Sequence, residues 1–356
     1  MRSFQLILGR DDPDAALGAL AAAALDRPGG GHALRKGQRL GADDVAALGT
    51  LAVAMPGATV SLIRLDPDDI DELTAARLLG PALVGRGVTM REPSQGRVRL
   101  LAAQAGLLWV DSARLAAANA VPDIAIYTLF GGTPVAAGTL LAEAKITPLA
   151  TARAHVAAAV RILAPAAAAE ATLAVQPFGP RRAALLVRER LAPDAAARMI
   201  AGLQHKLAWF GSHLAAADVV RTTGDRAETA HLLASLLARG ADLVLTAGGS
   251  TSDPADPILG ALDTIGARML RRGVPIHPGS LLWVAAAGPA LLIGVPTCGA
   301  FSEQTSLDLL LPRLLALGAA GLDGIAHLAE GGLLTRGMEH RFPPYQERDE
   351  ERALPG

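Results

Sequence analysis

The run Asp242-Leu243-Val244-Leu245-Thr246-Ala247-Gly248-Gly249-Ser250-Thr251-Ser252-Asp253, followed by Pro254-Ala255-Asp256-Pro257, decides how this chain is read. The apolar stretch Asp242 to Thr246 reads as a short buried strand. Gly248 and Gly249 then let the backbone turn tightly, and Pro257 stands where a helix would open. The hydroxyls of Thr246, Ser250, Thr251 and Ser252 can donate hydrogen bonds. The helix start offers free N–H groups to an anion, and phosphate is the natural ligand. By itself such a turn is often only structural.

Outward from that turn the chain alternates strands and helices. Ala183 to Val187 is predicted as strand, Pro193 to Phe210 as a helix ended by Gly211, and Ala217 to Thr222 as strand. Ala227 to Ala238 is a helix with Gly240 as its cap, and the helix after the glycine turn runs from about Pro257 to Leu270. This grammar predicts an α/β fold over 177–320, a three-layer sandwich around a mostly parallel sheet. Ligands of such sheets bind outside the carboxyl ends of the strands.

Upstream the pattern is less regular, and a smaller mixed α+β or β-rich region is expected, divided as 1–80 and 81–176. Phe4 onward is strand-like, and Asp43 and Asp44 stand at a helix start. Asp66 to Leu79 reads as a helix with a proline in its first turn. Arg97 to Val110 alternates well enough to predict a hairpin turning at Gly106. Gly131, Gly132 and Pro134 mark a turn between Ile124 to Thr128 and Gly138 to Ile146. Ala150 to Leu173 reads as a helix broken at Pro165. The charged tail, 321–356, is expected to be partly disordered from Pro343.

Composition narrows the function classes. The 356 residues are 51% hydrophobic with a formal net charge of −1 and a mean hydropathy of +0.33. Much of the apolar content is alanine, and the longest apolar runs fall far short of the roughly 20 residues a membrane span needs. With 3% aromatic residues and no long basic run, a nucleic-acid partner is not expected. The single cysteine, Cys298, excludes an internal disulfide and a cysteine zinc cage. The first nine residues do not read as a secretory signal, so a cytoplasmic location is expected.

Two further runs follow in fixed order: Arg272-Gly273-Val274-Pro275-Ile276-His277-Pro278-Gly279-Ser280, then Gly294-Val295-Pro296-Thr297-Cys298-Gly299. With the glycine turn, they resemble the molybdopterin-binding domain shared by molybdopterin molybdotransferases and adenylyltransferases, the MoeA and MogA superfamily. The likeness is strongest over 241–315. It looks closest to a branch of molybdopterin-binding proteins with a Pro-x-Cys loop, which also carries segments similar to His32-Ala33-Leu34-Arg35-Lys36-Gly37 and Lys145-Ile146-Thr147-Pro148-Leu149.

The resemblance implies a pocket at the strand ends for molybdopterin or molybdenum cofactor, with or without an adenylate. Thr246, Gly248, Gly249, Ser250, Thr251, Ser252 and Asp253 would form the phosphate-side loop. His277, Pro278, Gly279 and Ser280 would form a second wall, and Pro296, Thr297, Cys298, Gly299 and Ser302 a third. Asp256 would be the catalytic carboxylate, holding a bridging Mg²⁺ against the phosphate; its alternative reading is as the cap of the helix at Pro257. Cys298 is either a soft ligand near the dithiolene or a small core residue.

Two departures stand out. Where the molybdotransferases carry a Thr-Gly-x-Glu turn, this chain has Arg188-Glu189-Arg190, and where they carry lysines it has His277 and Ser280. His205 and His213 read as surface residues, Asp308 as a solvated or packing residue, and Ser302 to Gln304 as a loose cap of the next helix. The implied function is binding of the pterin in cofactor biosynthesis, maturation or delivery. The alternatives are a molybdotransferase inserting molybdate with Mg²⁺-assisted AMP release, and a nucleotide-processing relative of the same fold. The implied partners are a molybdoenzyme or another cofactor-assembly protein, in a homo-oligomer.

Overall fold

The computed structural model describes residues 1–164, 171–188, 191–248, 253–295, 304–335, 337–343 and 345. The chain divides into two compact units. The first comprises Met1–Gln104, Trp109–Gly131 and Ala137–Val175, and the second Ala105–Leu108, Gly132–Ala136 and Gln176–Gly356. Among the described residues no helix is long and apolar enough to cross a membrane.

In the first unit, strand Arg2–Ile7 pairs antiparallel with Thr59–Arg64, which also takes Leu20–Ala21. Helix Ala42–Ala54 begins as Asp43 and Asp44 predict, with Asp44 accepting from the Gly41 amide at 2.9 Å. Leu48 of this helix is buried together with Leu6, Leu8, Leu34 and Leu62. A second, antiparallel sheet runs Ile124–Thr128, Leu140–Ile146, Arg97–Ala102, Val88–Met90. The first two of these strands flank the turn expected at Gly131 to Pro134.

Three local expectations fail here, each because tertiary pairing overrides local pattern. The hairpin at Gly106 does not form: Arg97–Ala102 pairs with Leu140–Ile146 and Val88–Met90, while Gly106–Val110 is a strand whose first residues belong to the second unit and pair there with Pro134–Val135. The helix expected from Asp66 starts instead at Glu72. Asp69–Asp71 is claimed as strand by Ala150–Ala152, and Asp71 becomes the N-cap, accepting from the Thr74 amide at 2.8 Å. For the same reason the helix expected from Ala150 is confined to Arg153–Leu163, and Leu173–Pro177 is strand. Pro165 lies outside the described residues.

Glu72 occupies a crowded position. A Cβ placed at Gly37 or Gly96, both at positive φ, would run into its carboxylate. Burial pushes the Glu72 carboxyl above its ordinary value of 4.5, Lys36 and Lys145 pull it back, and Asp71 adds to the rise. A carboxyl raised in the folded state favours folding below its unfolded value, and that contribution is lost as pH rises through the folded value. Glu72→Gln is therefore expected to raise the melting temperature at pH 7 and to lose that gain toward about pH 4. Thermal melts at both pH values check this, and an equal gain at both would contradict it.

The second unit carries the alternation that the sequence predicts. In chain order it contains β1 (Arg182–Val187), α1 (Pro193–Trp209), β2 (His213–Arg221), α2 (Arg226–Ala238), β3 (Leu243–Ala247), α3 (Pro257–Thr264), β4 (Arg268–Arg272), β5 (Trp283–Ala287), β6 (Ala290–Val295) and α4 (Ser306–Leu317). The sheet order is β2-β1-β3-β6-β5-β4. The first four in that order are parallel; at one edge β5 pairs antiparallel with β6, and β4 pairs antiparallel with β5. One face packs Leu185, Val187 and Leu245 against Met199 and Leu203 of α1 and Leu307 and Leu310 of α4. The other packs Leu186 and Val244 against Leu233 of α2 and Ile258 and Leu262 of α3. This is the three-layer α/β sandwich with a mostly parallel sheet.

The helix expected to reach Leu270 stops at Thr264. Gly266 takes φ +68° and its amide bonds to the Asp263 carbonyl at 3.1 Å, closing the helix before β4.

Candidate functional site

The parallel strands β1, β3 and β6 end in register, with Val187 opposite Ala247 and Ala247 opposite Val295. Loops and helix starts beyond those ends define the edge where α/β sheets take ligands. Strand alternation sets which side chains reach it on each face. Leu186 and Val244 face α2 and α3, so Arg188 and Thr246, two residues further along each strand, fall on that face too.

Thr246 is 1% exposed, and its Oγ1 has no hydrogen-bond partner. Across the ladder it faces Gly294, where a Cβ would run into the Trp283 indole, so the missing side chain is what lets that ring lie over β6. Gly248 follows β3 at φ +82°, the left-handed turn that only glycine takes freely. Asp253 is exposed and accepts from the Ala255 amide at 2.8 Å. Asp256 is the N-cap of α3, its Oδ1 accepting from the Ile258 amide at 2.9 Å. Gly249, Ser250, Thr251 and Ser252 lie outside the described residues.

Arg188, which the sequence marks only as a departure, lies at the centre of this corner. Its side chain is 8% exposed. Nη1 donates to Thr229 Oγ1 on α2, and that hydroxyl in turn donates to the Asp225 carbonyl at 2.7 Å. Nη2 stands 3.8 Å from Asp256 Oδ1. Nε has no acceptor. The signal that finds Arg188 is the two-residue period 184, 186, 188 on β1, which carries its side chain onto the buried α2 face. Its neighbours Glu189 and Arg190 lie outside the described residues.

The Mg²⁺ expected at Asp256 has the Asp256 carboxylate as its one candidate ligand among the described residues. Among the described residues no three His, Cys, Asp or Glu side chains are grouped to hold a metal. The charged neighbour of Asp256 is a guanidinium, which competes with a cation instead of sharing one.

The second wall sits on a different face. The His277–Pro278 peptide is cis. The His277 side chain is exposed, and its backbone pairs with Gly332 and Leu334 at 2.8 Å each. Pro278 and Gly279 seat on the first turn of α4: the Ser306 amide donates to the Pro278 carbonyl at 3.0 Å, and Ser306 Oγ to the Gly279 carbonyl at 2.7 Å. Ser280 is exposed, and its carbonyl accepts from the Val274 amide. Since α4 packs opposite α2 and α3, Pro278–Gly279 and the Arg188–Thr246 corner flank the sheet from its two sides. Pro296, Thr297, Cys298, Gly299 and Ser302 lie outside the described residues.

Helix α4 has Thr305 as its N-cap; Ser302 and Glu303 lie outside the described residues. Asp308 is neither solvated nor a mere packing residue. Fully buried, it takes Lys206 Nζ and the Tyr345 hydroxyl on Oδ1, each at 2.7 Å. Its Oδ2 accepts from the Thr305 amide and hydroxyl at 2.9 Å each. Tyr345, expected in a disordered tail, is 8% exposed against this core. His205 and His213 are exposed, as expected.

No family model and no curated protein matches the chain. Among solved structures it is similar to the molybdopterin biosynthesis MoeA protein of Pyrococcus horikosii. The identity is 14% over 71% of this chain and 80% of that one, with a TM-score of 0.28. A structure of MogA shares 22% identity over 42% of this chain and 99% of its own, at a TM-score of 0.24. A NadC deletion mutant shares 13% over 44% and 58%, at 0.16. Likenesses of this order define neither a family nor an activity.

Proposed function

We propose that the second unit binds molybdopterin or molybdenum cofactor, with or without an adenylate, in the biosynthesis, maturation or delivery of that cofactor. The observation that carries this reading is the corner at the carboxyl ends of β1 and β3: a left-handed glycine turn beside buried, unpaired donors on Arg188 and Thr246. Such a corner suits a phosphate-bearing ligand. The order of the glycine turn, the Pro278-Gly279 turn and the Pro296 to Gly299 run supports a pterin as the rest of that ligand.

In this reading Gly248 and Thr246 lie beside the phosphate, and Pro278–Gly279 supports the far wall through α4. Cytoplasmic location, assembly as a homo-oligomer and service to a molybdoenzyme or another assembly protein belong to the same reading. The alternative, insertion of molybdate with Mg²⁺-assisted AMP release, is favoured less, because Asp256 is turned to helix capping and to Arg188.

The test is equilibrium binding of the full chain to molybdopterin, adenylated molybdopterin and NAD. Binding of either pterin, with NAD excluded, is the expected outcome. Failure of both pterins overturns the reading, and AMP release on adding molybdate and Mg²⁺ would replace it with the transferase alternative.

A further inference from the structure

The corner between β1, β3, α2 and α3 holds more donor capacity than the chain satisfies. A guanidinium presents five N–H donors in a fixed plane, and that of Arg188 is more than nine-tenths buried. Thr229 takes Nη1, but the contact from Nη2 to Asp256 is too long for a hydrogen bond, and Nε has no acceptor at all. Thr246 Oγ1, on the same face of the neighbouring strand, is likewise buried without a partner. Buried polar atoms are paired in the great majority of cases, so two unpaired ones at the ligand edge of a parallel sheet call for an explanation.

The groups share a chemistry. Arg188 Nε and Nη2 and the Thr246 hydroxyl are donors, and what they lack is an oxygen acceptor that can serve several at once. A phosphate does so, and its charge compensates the guanidinium. A cation bridging Asp256 to phosphate has no place in this arrangement, because the positive charge facing Asp256 is already covalently part of the chain.

We propose that Arg188 is the fixed cation of this corner, so that the phosphate group of the ligand is bound by Arg188 and Thr246 without any divalent metal, in competition with Asp256 for the guanidinium. This rests on the reading that the carboxyl edge of the sheet is the ligand edge. It goes beyond that reading in assigning the phosphate contact to Arg188 and in making Asp256 an opponent of binding. A bridging metal would require the reverse, with Asp256 as its ligand.

Calorimetric titration of the full chain with inorganic phosphate, in EDTA and again with Mg²⁺, separates the two. Binding is expected to be equal in both buffers. Arg188→Gln should weaken it by about tenfold or more, the loss of a charge-assisted hydrogen bond. Asp256→Asn, which keeps a capping side chain on α3, should tighten it. Melting curves of the ligand-free variants identify any that fail to fold, and Thr246→Val gives a second, uncharged variant expected to weaken phosphate binding.

Absence of phosphate binding, binding that needs Mg²⁺, or weakening by Asp256→Asn each overturns the proposal. Because no pterin is used, the outcome is separable from that of the pterin reading. Phosphate bound as described with both pterins refused would leave Arg188 its role and remove the pterin. Pterins bound with phosphate indifferent to Arg188→Gln would do the opposite.

Discussion

Asp308→Ala is expected to destabilise the second unit by about 3–5 kcal/mol, the size associated with removing one partner of a buried ion pair. The carboxylate is fully buried, and each of its oxygens is used twice: Oδ1 by Lys206 and Tyr345, Oδ2 by the Thr305 amide and hydroxyl. Alanine withdraws the counter-charge from an ammonium that is itself 4% exposed. It also opens the capping box that starts α4, worth about 1 kcal/mol in its own right. Urea unfolding followed by tryptophan fluorescence measures the loss. A change below about 1 kcal/mol, the level of an exposed pair, would show that the pair does not hold α4.

Two companion variants apportion that effect. Tyr345→Phe removes the hydrogen bond from that hydroxyl to the charged Asp308 and should cost about 1.5–3 kcal/mol. Lys206→Met combined with Asp308→Leu replaces both charges by apolar groups of similar size. It should recover much of the single-variant loss, because the desolvation of both ions is then avoided. If the double variant were as unstable as Asp308→Ala alone, the capping of Thr305, and not the ion pair, would be the dominant contribution.

The parts of the fold legible in the sequence are those whose periodicity is local. β1, α1, α2 and β3 appear at nearly their observed bounds, because each buries a face whose spacing is written in consecutive residues. β4 was hidden by its composition. Arg268 to Leu270, on an exposed edge strand, read as the end of a helix, and only Gly266 signalled the break. The first unit resisted for a different reason. Its strands are short, and alternation in Arg97–Ala102 announces a strand without naming the neighbour that will pair with it.

The site shows the same division. Gly248 and the cap at Asp256 follow from local chemistry and stand where the sequence puts them. Arg188 was visible as a residue but not as a contact, since Thr229 and Asp256 reach it from 41 and 68 positions further along the chain. Lys206 and Asp308 are separated still more widely, and Tyr345 lies 37 positions beyond Asp308. A single buried charge looks like a surface charge until its partner is known. Nothing in the sequence of α4 says that a lysine from α1 and a tyrosine from the tail converge on its third residue.

Gly279→Ala is the other large effect expected, and it has two separable causes. Gly279 sits at φ +106°, where a side chain costs about 1–3 kcal/mol of backbone strain. The added Cβ would also fall inside contact distance of Ser306 Oγ, with Ser306 Cβ at 3.0 Å and the Ser306 amide at 3.1 Å. Forcing a methyl into packed space of this kind costs a further 1–3 kcal/mol or so. Ser306→Ala in the same chain removes the hydroxyl contact but leaves the φ and the amide as they are, so it should restore only part of the loss. Full restoration would mean that the backbone at 279 is not strained, and no restoration would mean that strain together with the contacts to the Ser306 Cβ and amide is the whole effect. The variant bears on function as well as stability. Gly279 and Asp308 brace the same first turn of α4 from two sides, one through the Ser306 hydroxyl and the other through Thr305. If that turn supports the far wall of the pterin site, Gly279→Ala should weaken pterin binding while leaving phosphate binding at Arg188, on the opposite face of the sheet, unchanged. Equal losses of both ligands would instead place the damage in the sheet itself.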